Sequence, residues 1–80
     1  MAKFARVIDI DEENQVLLMY SYNTNEEKHE THIITDMDNM QLKITLTFNT
    51  EEDALNVVNT YSRAQAIKFN QDALKFTIQD

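Results

Sequence analysis

Hydrophobic and polar residues alternate most regularly over residues 40–48, the period of two that is typical of a β-strand with one buried face. Three earlier runs are rich in β-branched and aromatic residues and end at acidic or asparagine-rich segments; they cover residues 3–10, 16–22 and 29–35. Strands joined by such short turns pair in antiparallel fashion. The first part of the chain is therefore predicted to form a four-stranded antiparallel β-meander.

Residues 51–64 have the spacing of an amphipathic helix. Thr50 is suited to the N-cap, and Asp53 follows three residues later in an arrangement that resembles a capping box. Acidic residues at the start and Arg63 near the end match the helix dipole. The apolar residues of one side are Ala54, Leu55, Val57, Val58, Tyr61 and Ala64.

Residues 67–79 return to an alternating pattern, interrupted by the polar residues 70–72. This pattern predicts a closing strand or a short hairpin. The predicted fold is a single α+β domain over residues 1–80, with about four antiparallel strands, one amphipathic helix and this C-terminal strand or hairpin.

The strand at residues 16–22 is apolar on both faces, because Leu17 and Met19 point away from the side that Val16, Leu18 and Tyr20 share. One helix covers only one face of a sheet, so this second apolar patch needs another cover. We expect a homodimer with Leu17 and Met19 in its interface. The alternative is that residues 67–79 fold over this face.

Charge and composition narrow the classes of function. The 80 residues carry 14 acidic and 7 basic side chains, a net charge of −7, which disfavours direct binding to nucleic acid or to anionic membranes. The sequence has no cysteine, glycine or proline, so it lacks disulfides, thiolate sites, glycine-rich phosphate loops and nucleophile elbows. Asparagine and aspartate are expected to occupy any left-handed turn positions.

The first residues do not resemble an export signal, because Lys3, Arg6 and Asp9 interrupt them. The longest apolar run, residues 16–20, is much shorter than the ~20 residues that span a bilayer. We expect a cytoplasmic protein.

Candidate catalytic and metal-binding groups are few. His29 and His32 are three residues apart on a predicted strand, so their imidazoles are expected to point to opposite faces and not to share a metal ion. Ser21 and Ser62 are the only serines, and neither lies in a recognisable nucleophile motif. We predict that the protein is not an enzyme and that it uses no cofactor or metal ion.

Most acidic residues fall in turns that a meander brings to two opposite ends of the sheet. We call these groups the first and second acidic ends, and a seven-residue strand would separate them by roughly 23 Å. The first acidic end comprises Asp9, Asp11, Glu12, Glu13, Asp36 and Asp38, and the second comprises Glu26, Glu27, Glu30, Glu51, Glu52 and Asp53. Lysines and arginines are scattered singly, with only Lys28 within either group of segments.

The acidic segments at residues 9–13, 26–30, 36–38 and 51–53, on a small α+β chain, resemble those of bacteriophage-encoded inhibitors that act as DNA mimics. The resemblance is at the level of the class and rests on size, composition and these segments. It implies an inhibitor whose carboxylates occupy the lysines and arginines of a basic host DNA-binding protein. A histone-like nucleoid protein or the transcription machinery is the expected target.

The alternative is a small phage or mobile-element interaction module. Such a module would dock through the apolar sheet face around Leu17 and Met19, or by pairing with an edge strand. Its binding would be insensitive to salt, whereas the binding of a DNA mimic weakens steeply with salt.

Overall fold

The computed structural model describes residues 3–37 and 40–78. A four-stranded antiparallel sheet comes first, in the order β1-β2-β3-β4, and two helices follow it. The strands are β1 (Ala5–Asp9), β2 (Gln15–Asn23), β3 (Lys28–Met37) and β4 (Met40–Phe48). The helices are α1 (Glu51–Thr60) and α2 (Arg63–Ile78). The α+β class and the four-stranded meander are as predicted.

The register of the strands divides the sheet into two faces. Val16 pairs with Thr35, and Leu18 pairs with both Arg6 and Ile33, so these side chains share the face that the helices cover. We call this the helix face. The opposite face, which we call the open face, carries the other alternate residues, including Leu17, which pairs with Ile34. In the described ranges, neither helix packs on the open face.

The hydrophobic core lies between the helix face and both helices. Its buried residues are Ile8, Val16, Leu18, Ile33, Val58 and Ala66. Thr31 is fully buried beneath α1, and its hydroxyl donates a hydrogen bond of 2.7 Å to the carbonyl of Ala54. A buried hydroxyl that finds such a partner avoids the cost of losing its contact with water.

Helix α1 begins as predicted and ends earlier than predicted. The Thr50 hydroxyl accepts a 3.1 Å hydrogen bond from the amide of Asp53, and Thr50 itself has an extended backbone. The helix ends at Thr60, where the amide of Tyr61 still donates to the carbonyl of Val57. Arg63, predicted near the negative end of this helix, instead begins the next one.

The predicted strand or hairpin at residues 67–79 is wrong, because residues 63–78 form α2. A reciprocal capping box starts this helix: the Ser62 hydroxyl accepts from the amide of Gln65 at 3.1 Å, and the Gln65 side chain accepts from the amide of Ser62 at 2.8 Å. Ala66 then packs into the core on the helix face. Folding of this segment over the face that carries Leu17 and Met19 is thus also wrong.

Arg6 holds the C-terminal end of α1 on the sheet. Its guanidinium group donates hydrogen bonds of 2.8 Å and 3.0 Å to the carbonyls of Val58 and Tyr61. These carbonyls lie at the negative end of the helix, where a cation is favourable. The role that the sequence suggested for Arg63 is therefore filled by a residue of β1.

The β2–β3 turn at residues 24–27 differs from its prediction. Glu27 has a φ of 54°, the left-handed region, whereas asparagine and aspartate were expected in such positions. The Asn23 side chain acts instead as an acceptor, taking hydrogen bonds from the amides of Asn25 at 3.1 Å and Glu26 at 3.2 Å. Asparagine thus fixes this turn through its side chain and leaves the left-handed position to glutamate.

Replacing Arg6 with alanine should lower the free energy of unfolding by about 2 kcal/mol, because two carbonyls at the end of α1 lose a charged donor. Urea denaturation followed by circular dichroism measures this change. The control is Lys68→Ala, since the Lys68 side chain is 77% exposed and forms an exposed ion pair with Asp72. Equal stabilities of the two variants would contradict this role for Arg6.

Candidate functional site

The first acidic end lies where β1, β2 and β3 meet the β1–β2 turn. Its described members line one shallow depression together with Asn14 and Gln15; they are Asp9, Asp11, Glu12, Glu13 and Asp36. The register explains this grouping, because Gln15 pairs with both Asp9 and Asp36. Asp38 lies outside the described residues.

Asp11 organises the β1–β2 turn. Its carboxylate accepts hydrogen bonds of 2.9 Å from the amides of both Glu13 and Asn14, and the Asn14 side-chain amide also donates to it. The hydrogen bond from the Asn14 side chain, followed by that from the Glu13 amide, lowers the pKa of Asp11 below its ordinary value of 3.8. Asp11 is thus a structural acid, while Glu12 and Glu13 are exposed beside it.

A cation also lies beside the first acidic end. Arg63 donates hydrogen bonds of 3.2 Å to the carbonyl of Asp9 and 2.7 Å to that of Ile10. Its charge contributes to the lowered pKa of Asp11, as the smallest of the favourable causes. No local sequence pattern indicates this neighbour, since 54 positions separate Arg63 from Asp9. One guanidinium group offsets only part of the charge of five carboxylates.

The second acidic end is built from the β2–β3 turn and the first turn of α1. Glu26 and Glu27 lie in the turn, and Glu51, Glu52 and Asp53 are exposed at the start of the helix. A hydrogen bond from the Lys28 ammonium group to the Asn49 side chain joins the two segments. Carboxylates at this position are also favourable for the helix itself.

Glu30 lies apart from the other members of the second acidic end. It is on the open face, with its side chain only 15% exposed. Asn23 donates a 3.2 Å hydrogen bond to its carboxylate, and His32 Nε2 lies 3.5 Å from it. Glu30 is therefore committed to neighbours within the sheet.

A polar cluster on the open face contains a serine and a histidine that no sequence motif connects. Ser21 Oγ lies 2.7 Å from His32 Nε2, and Thr45 Oγ1 lies 3.0 Å from His32 Nδ1. In a hydrolytic triad the acid binds the nitrogen opposite the serine, whereas Glu30 approaches the same nitrogen as Ser21. The cluster therefore lacks the arrangement that activates a serine nucleophile.

The two histidines lie on opposite faces of β3, as predicted from their spacing. His29 is on the helix face, where its Nδ1 lies 2.7 Å from the Tyr20 hydroxyl. Within residues 3–37 and 40–78, no three histidine or acidic side chains are grouped so that they could hold a metal ion.

Aromatic rings gather at the sheet end that carries the second acidic end. Tyr20 is the centre of this group, with its ring centroid 5.8 Å from that of Phe4 and 5.9 Å from that of His29. Burial raises the pKa of Tyr20 above its ordinary value of 10.0, and the charge of Glu51 raises it further. Phe4 is 55% exposed and Tyr22 is 47% exposed, so the group forms part of the surface.

Comparison with family models, with curated proteins and with solved structures gives no match to this chain. The candidate site therefore rests on the geometry of its own residues. In the described part of the chain, no helix is both long and apolar enough to cross a membrane.

The lowered pKa of Asp11 predicts how the fold responds to acid. Because the folded state favours the carboxylate, the stabilisation is present above the ordinary pKa and is lost as the pH falls through the lower, folded pKa. The stability advantage of the wild type over Asp11→Asn should thus shrink between pH ~5 and ~2 in urea denaturation.

An NMR titration of the carboxyl carbons tests the cause. Asp11 should titrate below 3.8 in the wild type, and its midpoint should move back toward that value in Asn14→Ala, which removes the main donor. A midpoint at or above 3.8 in the wild type would contradict the assignment.

Proposed function

We propose that the protein is a non-enzymatic inhibitor that imitates the charge of DNA and binds a basic host DNA-binding protein through its two acidic ends. The observation that carries this proposal is that the described carboxylates of the acidic ends lack lysine and arginine ion-pair partners. Within the described ranges, no member of either acidic end forms an ion pair with a lysine or an arginine. The exposed carboxylates of the turns and of the start of α1 remain available to a partner, whereas Asp11 and Glu30 are bonded within the protein.

The distribution of the cations supports the same conclusion. Arg6 and Arg63 both donate to backbone carbonyls, and Lys28 binds the side chain of Asn49. Lys68 pairs with Asp72 on α2. No described surface gathers several cations, so the protein is suited to bind a basic protein rather than the phosphates of DNA.

The sheet holds the two acidic ends at a fixed separation. The nine residues of β2 span about 27 Å, somewhat more than the separation expected from the sequence. A partner would therefore meet two separate anionic patches, each presenting neighbouring carboxylates as a nucleic acid strand presents neighbouring phosphates. Because the patches are on opposite ends of β2, one extended basic surface or two basic partners could be engaged.

The energetics require many contacts to act together. One exposed ion pair contributes only ~0.2–1 kcal/mol, so useful affinity depends on several carboxylates meeting several cations. Salt screens such exposed pairs with a Debye length of ~8–10 Å. Binding should therefore weaken steeply as salt rises, and duplex DNA should compete for the partner.

The class of target follows from the resemblance to bacteriophage inhibitors. A histone-like nucleoid protein is the first target to test and the transcription machinery is the second, since both present cations to DNA. Such targets would place the site of action in the host cytoplasm.

Removing charge from the first acidic end tests the proposal. The variant Glu12→Gln with Glu13→Gln should bind a purified histone-like nucleoid protein about 3- to 10-fold more weakly, because two exposed contacts are lost. Both side chains are exposed and the turn is held by Asp11, so the fold should be unchanged. Fluorescence anisotropy at several salt concentrations measures the Kd and its salt dependence.

The matched control removes two charges that are already paired within the protein and are therefore not counted among the binding carboxylates, as Glu30→Gln with Asp72→Asn. It should bind more tightly than the test variant. An equal loss in both variants would indicate a response to net charge alone, and binding that does not change with salt would refute the proposal and favour the interaction module. If the nucleoid protein shows no binding, the same comparison is made with RNA polymerase, and failure with both refutes the proposed class of target.

A further inference from the structure

The open face carries an apolar row that a solvated sheet face would not be expected to have. Val7 pairs with Leu17, Leu17 with Ile34, and Ile34 with Lys43, so these residues form one line across all four strands. Val7 is 58% exposed, and Met19 beside it is 37% exposed. An antiparallel sheet with one solvated face usually carries polar side chains there.

We infer that the open face is the interface of a homodimer whose two-fold axis runs parallel to the strands. A two-fold interface uses the same surface of both protomers, so each row of side chains lies over its own reversed copy. The inference adds an assembly to the proposed function: Asp9 and Asp36 lie on the open face within the dimer interface, and Glu12, Glu13 and the acidic residues at the start of α1 are left for a partner.

Under this symmetry, the apolar row is complementary to itself. Leu17 of one protomer packs against the partner's Ile34, and Met19 packs against the partner's His32, with the two sheets ~10 Å apart. The polar row at the first acidic end is also complementary, because Gln15 comes opposite the partner's Asp36. An amide facing a carboxylate can donate a hydrogen bond to it.

The charges on the open face favour a two-fold axis parallel to the strands over one that runs across them. Lys43 lies on β4 and Asp9 on β1, at opposite edges of the open face. An axis parallel to the strands places β4 over the partner's β1, so that Lys43 lies over the partner's Val7 and one residue row from the partner's Asp9, within reach of the long lysine side chain. An axis across the strands at this apolar row would instead place Lys43 over the partner's Lys43, which is repulsive.

The area is compatible with a small dimer. Four strands ~4.8 Å apart and about seven residues long give a face of roughly 19 by 24 Å. Side-chain relief raises the accessible surface buried per protomer to on the order of 600–800 Å², close to the ~800 Å² of a standard interface.

Light scattering coupled to size-exclusion chromatography tests the dimer. The wild type should have twice the monomer mass of 9.4 kDa at micromolar concentrations, and Leu17→Lys should run as a monomer. The matched control is Leu46→Lys, which makes the same substitution on the helix face at a leucine that is 36% exposed. This control should remain dimeric.

Exchanging the charges of Lys43 and Asp9 tests dimerisation separately from folding. Lys43→Asp should raise the dimer Kd by about 10-fold, and adding Asp9→Lys should restore it to within ~3-fold of the wild type. Within one protomer the two positions are about 14 Å apart across the strands, so rescue requires a contact between protomers.

A wild type that remains at 9.4 kDa up to sub-millimolar concentration would overturn the inference and leave the face for a different protein. A dimer that resists both Leu17→Lys and the charge exchange would also overturn it, since another surface would then hold the protomers together. Glu12→Gln with Glu13→Gln should remain dimeric, so the dimer and the proposed binding function can fail separately.

Discussion

The antiparallel register of the four strands is the constraint on which the other features of this molecule depend. Because side chains alternate between faces, one register decides that Leu18 enters the core and that Leu17 does not. The same register places Gln15 between Asp9 and Asp36 and thereby assembles the first acidic end. A slip of one residue would exchange the two faces and bury the polar set.

The helices use polar groups as well as apolar contacts to hold their positions on the sheet. Thr31 donates to the carbonyl of the buried Ala54 near the start of α1, and Arg6 donates to that of Val58 near its end. Arg63 attaches the start of α2 to the end of β1 in the same way. The small core is thus supplemented by directional hydrogen bonds, and both guanidinium groups bind backbone carbonyls.

Much of the sheet could be predicted from the sequence because its signals are local. The alternation over residues 40–48 and the turn-forming residues between strands define the meander without tertiary information. The start of α1 was equally clear, since the cap at Thr50 is a local interaction. The two groups of acidic residues followed from the topology, although Glu30 is drawn into a different environment by His32 and Asn23.

The C-terminal helix was missed because a short alternation of apolar residues does not distinguish a strand from a helix. Two signals in the sequence favoured the helix: the Ser62–Gln65 capping box, and helix-forming residues such as Ala64, Ala66 and Lys68. The positions of Arg6 and Arg63 could not be predicted, because each binds a carbonyl more than 50 positions away. The Ser21–His32 contact likewise depends on the pairing of β2 with β3.

The position of β4 at the edge of the sheet has a consequence for the behaviour of the chain in concentrated solution. An edge strand of nine residues offers unpaired amides and carbonyls to any other extended chain, and its length makes it the more vulnerable of the two edges. Lysine in the middle of such a strand is a common natural obstacle to uncontrolled growth of sheets from molecule to molecule. Lys43 occupies this place, and its charge disfavours the pairing of a further strand with the longer edge of the sheet.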